Sequence, residues 1–279
     1  MFGPHLYAVF GSPIVHSKSP EVHRAFARQT EQDMMYTKQE VTPEEFKETV
    51  DDFFELGGMG LNITLPLKEL AYQYADKVSL RAKLAKAVNT LIRDKNGSIL
   101  GDNTDGIGIV RDITINQRWH LKSQRVLILG AGGAVRGVLG PILDEEPKSI
   151  VIANRTASKA VDLAKSFEGM GDVSGCGLNS IPPGVFDVII NGTSMSLQGA
   201  APPLNPAQMT AQTCAYDMAY GSGPTAFLQW AESQGLVALA DGLGMLVEQA
   251  AESFYLWRRV RPKTAPVIQM LREGMRREI

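Results

Sequence analysis

The sequence predicts an α/β protein built from two successive runs of alternating strands and helices. Three observations predict it. Short apolar runs of strand character, such as YAVF (7–10) and RVLIL (125–129), are separated by amphipathic stretches. A glycine-rich turn, GAGGA (130–134), joins an apolar strand to a helical pattern. The composition changes at GDNTDGIG (101–108), whose three glycines and two aspartates read as a loop entering a helix. A domain boundary is placed in or after that loop. Strands alternating with helices imply a parallel or mixed sheet in each half.

In the first run, Tyr7 to Phe10 reads as a strand ending at Gly11. A helix follows from Pro20 to Thr30, with Ser19 as its N-cap and Pro20 at the first helical position. A second helix spans Pro43 to Leu56 behind Thr42 as N-cap, which puts Phe46, Val50, Phe53 and Phe54 on one face. Gly57 and Gly58 end it, and Leu61 to Leu65 is the next strand. In the second run, the strands are Arg125 to Leu129, SIVIANR (149–155), FDVIING (186–192) and TCAYDMAY (213–220). From Gly242 the chain reads as helix, because Leu243, Leu246, Val247, Ala250, Phe254 and Trp257 recur at helical spacing.

The bulk properties exclude several classes. Hydrophobic residues make up 44% and charged residues 21% of the 279 residues, a soluble globular mix. The formal net charge of −2 offers no field for nucleic acid or anionic membrane. The arginines near the C-terminus read as a solvated helix. Cys176 and Cys214 form no pairing motif, which fits a reducing compartment. The N-terminal MFGPHLYAVFGSP lacks the pattern of a signal peptide, and no apolar run reaches the roughly 18 residues of a membrane span. The four histidines show no metal-ligand spacing. The expectation is a cytoplasmic protein, monomer or homodimer, with no metal, nucleic acid or membrane partner.

VLILGAGGAVRG is the most legible motif. Glycines let the backbone turn sharply and approach a pyrophosphate, and the next helix offers free N–H groups and its positive dipole end. Val135 occupies the third glycine position of the usual pattern, so a purely structural turn stays open. NAD-binding strands commonly end, about 20 residues on, in an acid that bonds the ribose 2′-hydroxyl. Here the strand ends Asn154-Arg155-Thr156, with Lys159 following and no carboxylate. A guanidinium pairs with a 2′-phosphate and stacks on adenine. The reading is therefore NADP, against a bland alternative in which Thr156 merely caps a solvated helix.

Polar residues also gather in the first half. HSKSP (16–20) sets Ser17 and Ser19 two apart, facing the same way if the segment is extended. NITLPLK (62–68) places Asn62 and Thr64 on one side of a strand, with Lys68 close behind Pro66. KAVNTL (86–91) adds Asn89 and Thr90, and GDNTDG adds Asp102, Asn103, Thr104 and Asp105. Each alone reads equally as a turn or cap residue. Together they suggest ligand groups at the carboxyl edge of an α/β sheet.

HSKSP, NITLPLKE, AVNTL, GDNTDG, GAGGA, NRT, DMAY and DGLGMLVEQA, in this order and over nearly the whole chain, resemble the shikimate dehydrogenase family. That resemblance implies reduction of 3-dehydroshikimate with NADPH, on the route to chorismate and the aromatic amino acids. It also implies an N-terminal substrate domain, a Rossmann domain facing it across a cleft, and a C-terminal helix returning to the first domain. The implied division is 1–105 with about 243–279, and 106–242. Ser17, Ser19, Thr64, Asn89, Asp105, Tyr220 and Gln249 match the substrate-binding set. Lys68 matches the catalytic lysine and Asp105 its partner. Gly130, Ala131, Gly132, Gly133, Ala134, Asn154, Arg155, Thr156 and Lys159 match the cofactor segments, and Met218, Gly242 and Met245 positions around the nicotinamide. Two departures stand out: Thr193-Ser194-Met195-Ser196 lacks a glycine common in the family, and Leu80 replaces an acid found in some members.

Ketone reduction needs a hydride on carbon and a proton on oxygen. A lysine can deliver that proton, and a carboxylate beside it fixes its direction. The rivals are a quinate/shikimate dehydrogenase of broader scope, a non-catalytic NADP sensor, which would be expected to lose Lys68 or Asp105, and a methylenetetrahydrofolate dehydrogenase, which HSKSP fits less well.

Overall fold

The computed structural model describes residues 4–277. The first three residues of the stretch read for a signal peptide, and the last two of the C-terminal segment, lie outside the described residues. The chain forms two compact units: the chain through Gly108 with Val247–Val267, and Ile109–Leu246 with the chain from Ile268 onward.

The first unit contains β1 (His5–Gly11), α1 (Ser19–Gln29), β2 (Met34–Glu40), α2 (Phe46–Glu55), β3 (Gly58–Ile63), α3 (Lys68–Tyr74), β4 (Lys77–Val78), α4 (Leu80–Ala85), β5 (Thr90–Arg93) and β6 (Ile99–Asp102). α5 (Asp105–Arg111) leads into a π turn at Asp112–Asn116. The second unit then holds β7 (Arg125–Leu129), α6 (Gly133–Leu143), β8 (Ser149–Asn154), α7 (Ala157–Lys165), β9 (Val173–Gly177), β10 (Val188–Asn191), β11 (Cys214–Asp217), α8 (Ala226–Ser233) and β12 (Ala238–Asp241). α9 (Leu243–Arg258) and α10 (Ala265–Arg277) close the chain.

The first sheet has strand order β2-β1-β3-β5-β6-β4. β1 runs parallel to β2 and β3, while β5 runs antiparallel to β3 and β6. Alternate residues of β1 serve opposite faces, as the period of a strand demands. Ala8 and Phe10 pack with Phe46, Val50, Phe54, Leu61 and Leu67. Tyr7 and Val9 pack with Ile14, Tyr36 and Trp257. Each fully buried Phe or Leu here is stabilised by about 1.5–3 kcal/mol relative to exposure. Trp257 of α9 donates its indole N–H to the Leu91 carbonyl at 3.0 Å. A Cβ at Gly60 would overlap its indole ring, so glycine lets the helix lie against the strand.

His23 lies in this second layer, fully buried and stacked on Tyr36 with ring centroids 4.2 Å apart. Neither ring nitrogen has a hydrogen-bond partner among the described residues. Burial pushes its pKa down to about 3 from an ordinary 6.5. Between those values the unfolded chain binds a proton that the folded chain refuses. This contribution to stability is therefore complete above pH 6.5 and is lost as the pH falls toward 3. Between about pH 7 and pH 5, urea unfolding should show the wild type losing about 2 kcal/mol more than His23→Phe. Equal losses in the two proteins would mean that folded His23 titrates normally.

The second sheet is wholly parallel, in the order β12-β11-β10-β7-β8-β9. This is the doubly wound dinucleotide-binding order, with its topological switch between β7 and β10. Asp112 is fully buried in this unit and accepts from Tyr216 Oη at 2.6 Å and Asn116 Nδ2 at 3.0 Å. A side chain at Gly244 would overlap its carboxylate.

Several local expectations change. α1 begins at Ser19 itself, and its N-cap residue is Lys18, with no side-chain cap bond. Lys18 is in the right-handed helical region, so Ser17 and Ser19 do not sit on an extended segment; instead the Ser19 N–H donates to Ser17 Oγ at 3.3 Å. Thr42 does serve the start of α2: Glu45 N–H donates to Thr42 Oγ1 at 3.4 Å, and Thr42 N–H and Oγ1 donate to Glu45 Oε2. That reciprocal bonding is the capping box, set one turn ahead of the regular helix. The C-terminal segment is two helices, interrupted where Arg259 takes a positive φ of 59° and Pro262 follows. Only the part through Val267 groups with the first unit. From Ile268 the chain groups with the second, where Arg272 pairs bidentately with Asp241 at 2.7 and 2.5 Å.

Candidate active site

In the first unit, the polar residues gather at one sheet edge. β1, β3 and β6 end there, and the antiparallel β5 begins there, with Thr90 paired to Asn62 and Asp102. Asn89 therefore precedes a strand rather than ending one, and antiparallel pairing brings it to the same edge. The chain turns at the cis Leu65–Pro66 bond, and Lys68 opens α3.

Lys68 Nζ lies 2.6 Å from Asp105 Oδ2, and both side chains are mostly buried, at 24% and 13% exposure. This is a short, charge-assisted contact. Asn89 Nδ2 donates to the other carboxylate oxygen, Oδ1, at 2.8 Å, and Asp105 N–H donates to Asn103 Oδ1 at 3.1 Å. Gln249 Oε1 accepts from Asn89 Nδ2 at 3.3 Å and Thr104 Oγ1 at 3.4 Å. Thr64 is half-buried, its N–H donating to the Phe10 carbonyl at 2.9 Å. Ser17 and Ser19 are half-buried on the loop after β1 and the first residue of α1. The structure thus brings Lys68, Asn89, Asp105 and Gln249 into one bonded cluster, and it sets Thr64, Ser17 and Ser19 on neighbouring segments of the same unit.

Beneath this cluster, Arg81 donates from Nε to Asp102 Oδ1 at 2.7 Å and from Nη2 to Asp102 Oδ2 at 2.8 Å and Glu252 Oε1 at 3.1 Å. This ties α9 to the end of β6. Asp102 carries no role by sequence alone, and no local motif marks Arg81 or Glu252.

In the second unit, Gly130 follows β7 with φ +103°, and a Cβ there would come within 3.0 Å of the Gly192 carbonyl oxygen. Only glycine fits both constraints. Gly132 and Gly133 are exposed and open α6, and a Cβ at either would meet nothing within 4 Å. Ala131 is half-buried and Ala134 exposed in the same turn. The β7–β8 register pairs Leu129 with Ala153, so Asn154 and Arg155 emerge level with the glycine turn. Asn154 Nδ2 donates to the Thr156 carbonyl at 3.0 Å, while Arg155, Thr156 and Lys159 are exposed. Thr156 is the N-cap residue of α7 but makes no side-chain cap bond, against the bland reading of it as a cap. These residues fit a dinucleotide phosphate: an open helix N-terminus beside the glycines and two cations beyond a strand end without an acid.

Met218, Tyr220 and Met245 are half-buried. Met218 N–H donates to the Asn191 carbonyl at 2.9 Å and Gly242 N–H to the Ala219 carbonyl at 3.0 Å. A Cβ at Gly242 would overlap the Met218 carbonyl, so the two segments touch through backbone. The buried Asp217 anchors this region, accepting from Ser196 Oγ and Thr225 Oγ1 at 2.6 Å each and from Asn191 Nδ2 at 3.1 Å. Ser196 thus has a structural partner in the loop that departs from the family pattern, and Leu80, the other departure, is 73% exposed.

Comparison with known proteins decides the family. The shikimate dehydrogenase substrate binding domain matches residues 9–91, the shikimate/quinate 5-dehydrogenase domain residues 113–198, and the shikimate 5′-dehydrogenase C-terminal domain residues 242–272. The chain belongs to the shikimate dehydrogenase family. The NADP(+) shikimate dehydrogenase of Cellvibrio japonicus is 56% identical over 270 residues, covering 97% of this chain and 98% of that relative. Among solved structures, an Ael1 enzyme from Pseudomonas putida is 44% identical with a TM-score of 0.89, covering 96% of this chain and 98% of that one. Shikimate 5-dehydrogenase from Thermus thermophilus, in complex with NADP(H) and shikimate, is 29% identical with a TM-score of 0.85, covering 96% and 99%. The family's two-part architecture, a substrate domain and a Rossmann NADP-binding domain, is the fold seen in this chain. Among the described residues, no helix is long and apolar enough to cross a membrane.

Proposed function

We propose that this chain catalyses the reversible, NADPH-dependent reduction of 3-dehydroshikimate to shikimate, with Lys68 and Asp105 as the proton-transfer pair. The observation that supports it most is the 2.6 Å contact between Lys68 Nζ and Asp105 Oδ2, set among hydroxyl- and amide-bearing side chains in a member of this family. Bound NADPH supplies the hydride to the carbonyl carbon. Lys68 holds a proton on Nζ for the carbonyl oxygen and regains one from solvent. Asp105 fixes the direction of Nζ through Oδ2, while Asn89 keeps Oδ1 occupied. Ser17, Ser19, Thr64, Asn89, Tyr220 and Gln249 read the substrate's hydroxyls and carboxylate. Gly130 to Ala134 and the α6 N-terminus hold the pyrophosphate. Asn154, Arg155, Thr156 and Lys159 hold the 2′-phosphate end, and Met218, Gly242 and Met245 border the nicotinamide. The reducing cytoplasm is the compartment proposed, where thiols such as Cys176 and Cys214 stay unpaired.

Specificity follows from hydroxyl readout. A site built to bond a hydroxyl rejects an analogue lacking it by about 10⁴–10⁵, because its own polar groups are stranded. Steady-state kinetics with shikimate, a mono-deoxy shikimate and quinate should therefore rank shikimate first, with the deoxy analogue at least about 10⁴-fold poorer in kcat/KM. Comparable kcat/KM for all three would overturn the substrate assignment.

A further inference from the structure

Behind the Lys68–Asp105 pair lies a chain of buried side chains that the reaction as derived does not use. All its members belong to the first unit. Their donor and acceptor roles follow from the partners that have no choice. Asn62 Nδ2 lies 3.2 Å from the Asn89 carbonyl, which can only accept. The Asn62 oxygen therefore faces Tyr36, whose hydroxyl donates to it at 2.7 Å. Asn62 Nδ2 also donates to Ser253 Oγ at 3.0 Å. At the other end, the Thr104 N–H can only donate, and it lies 2.9 Å from Asn89 Oδ1. That fixes the Asn89 amide with its nitrogen toward Asp105 Oδ1, at 2.8 Å.

The middle links follow. Thr90 Oγ1 donates to Asn89 Oδ1 at 2.9 Å. Thr90 Oγ1 and Ser253 Oγ are 2.7 Å apart and share one proton between them. With the Thr90 proton committed to Asn89, Ser253 donates to Thr90, in preference to its longer contacts with the Gln249 carbonyl at 3.1 Å and Thr104 Oγ1 at 3.3 Å. The bonds then run in one direction: Tyr36 to Asn62 to Ser253 to Thr90 to Asn89 to Asp105. Each donor polarises the next in a low-dielectric interior. Burial holds Tyr36 far above the usual phenol range, so its hydroxyl stays a donor, and the His23 stack fixes its ring.

We propose that Tyr36, Asn62, Ser253 and Thr90 are positioning residues that lock the Asn89 amide, and through it the Asp105 carboxylate, in the orientation that aims Lys68. This deepens the proposed function and rests on Lys68 and Asp105 being its proton-transfer pair. Without the Thr90 hydroxyl, Asn89 Oδ1 keeps only Thr104 as partner, and the Asp105–Lys68 geometry loosens.

The test compares Thr90→Val, Thr90→Ser, Tyr36→Phe, the double variant Tyr36→Phe/Thr90→Val and Lys68→Ala. For each, kcat, shikimate KM and the thermal unfolding midpoint are measured. Thr90→Val keeps volume and removes the hydroxyl, and it should lower kcat about tenfold, the scale of one lost hydrogen bond at a reacting centre. Its KM and unfolding midpoint should change little by comparison. Thr90→Ser should recover most of the rate. Tyr36→Phe should lower kcat less, and the double variant should be little slower than Thr90→Val, because both break one chain. Wild-type kcat in both Thr90→Val and Tyr36→Phe, with Lys68→Ala inactive, would overturn the chain and leave the proton-transfer pair standing. So would equal losses in Thr90→Ser and Thr90→Val, or a lowered midpoint with kcat intact. Wild-type turnover by Lys68→Ala would remove the pair itself and the chain with it. Should Thr90→Val fail to fold, Tyr36→Phe against wild type decides the matter alone.

Discussion

Lys68→Ala should lower kcat by about 10³-fold, within the 10²–10⁴ range of a positioned general acid, while the protein stays folded. The asymmetry follows from where the lysine sits. It opens α3 with its side chain at 24% exposure, and its partner among the described residues is Asp105. Removing it leaves Asp105 held by the Asn89 amide and by the Asn103 carbonyl oxygen of its side chain. The loop that presents the carboxylate therefore keeps its anchors. Shikimate KM should move far less than kcat, because a proton donor acts mainly in the transition state. Near-wild-type kcat with unchanged KM would remove Lys68 from the mechanism. Lys68→Arg separates charge from proton transfer: it keeps a cation near Asp105 but cannot deprotonate in the working range, so it should also be severely slowed.

The second large effect concerns the cofactor. Arg155→Ala should raise KM for NADP by about 10–100-fold, the span of a lost hydrogen bond to a charged group. Kinetics with NAD, which lacks the 2′-phosphate, should stay nearly unchanged. The reasons are the β7–β8 register, which brings Arg155 level with the glycine turn, and its exposure. Lys159 lies one helical turn along the same edge, so Lys159→Ala should have a smaller effect of the same sign. An unaltered preference between the two cofactors in Arg155→Ala would send the 2′-phosphate elsewhere.

The parallel strands of the second unit were legible because a strand buried on both faces reads as a continuous apolar run. RVLIL became β7 residue for residue. The strands that went unseen lack that signal. β2, MMYTKQE, is an edge strand with only Tyr36 buried, and β9, VSGCG, is a half-exposed edge of the other sheet. The reading of Ser19 as a cap failed because Lys18 is already helical and its carbonyl accepts the Val22 N–H, which puts Ser19 inside the first turn. Asn89 looked like a strand end because sequence alone does not distinguish antiparallel from parallel pairing. The polar cluster was legible as a set of residue types, and not as a network. Ser253 meets Asn62 across 191 positions, and nothing local to either segment announces the other. The helical spacing from Leu243 to Trp257 became α9, and Pro262 with the left-handed Arg259 separates it from α10, whose Arg272 pairs with Asp241 in the second unit.

The most direct measurement is the absorbance of NADPH as purified protein is mixed with 3-dehydroshikimate, with shikimate identified among the products. NADPH should be consumed one for one with shikimate formed, and shikimate with NADP should run the reaction backward. No change with either substrate, and none with quinate, would contradict the assignment of this chain as an NADP-dependent shikimate dehydrogenase.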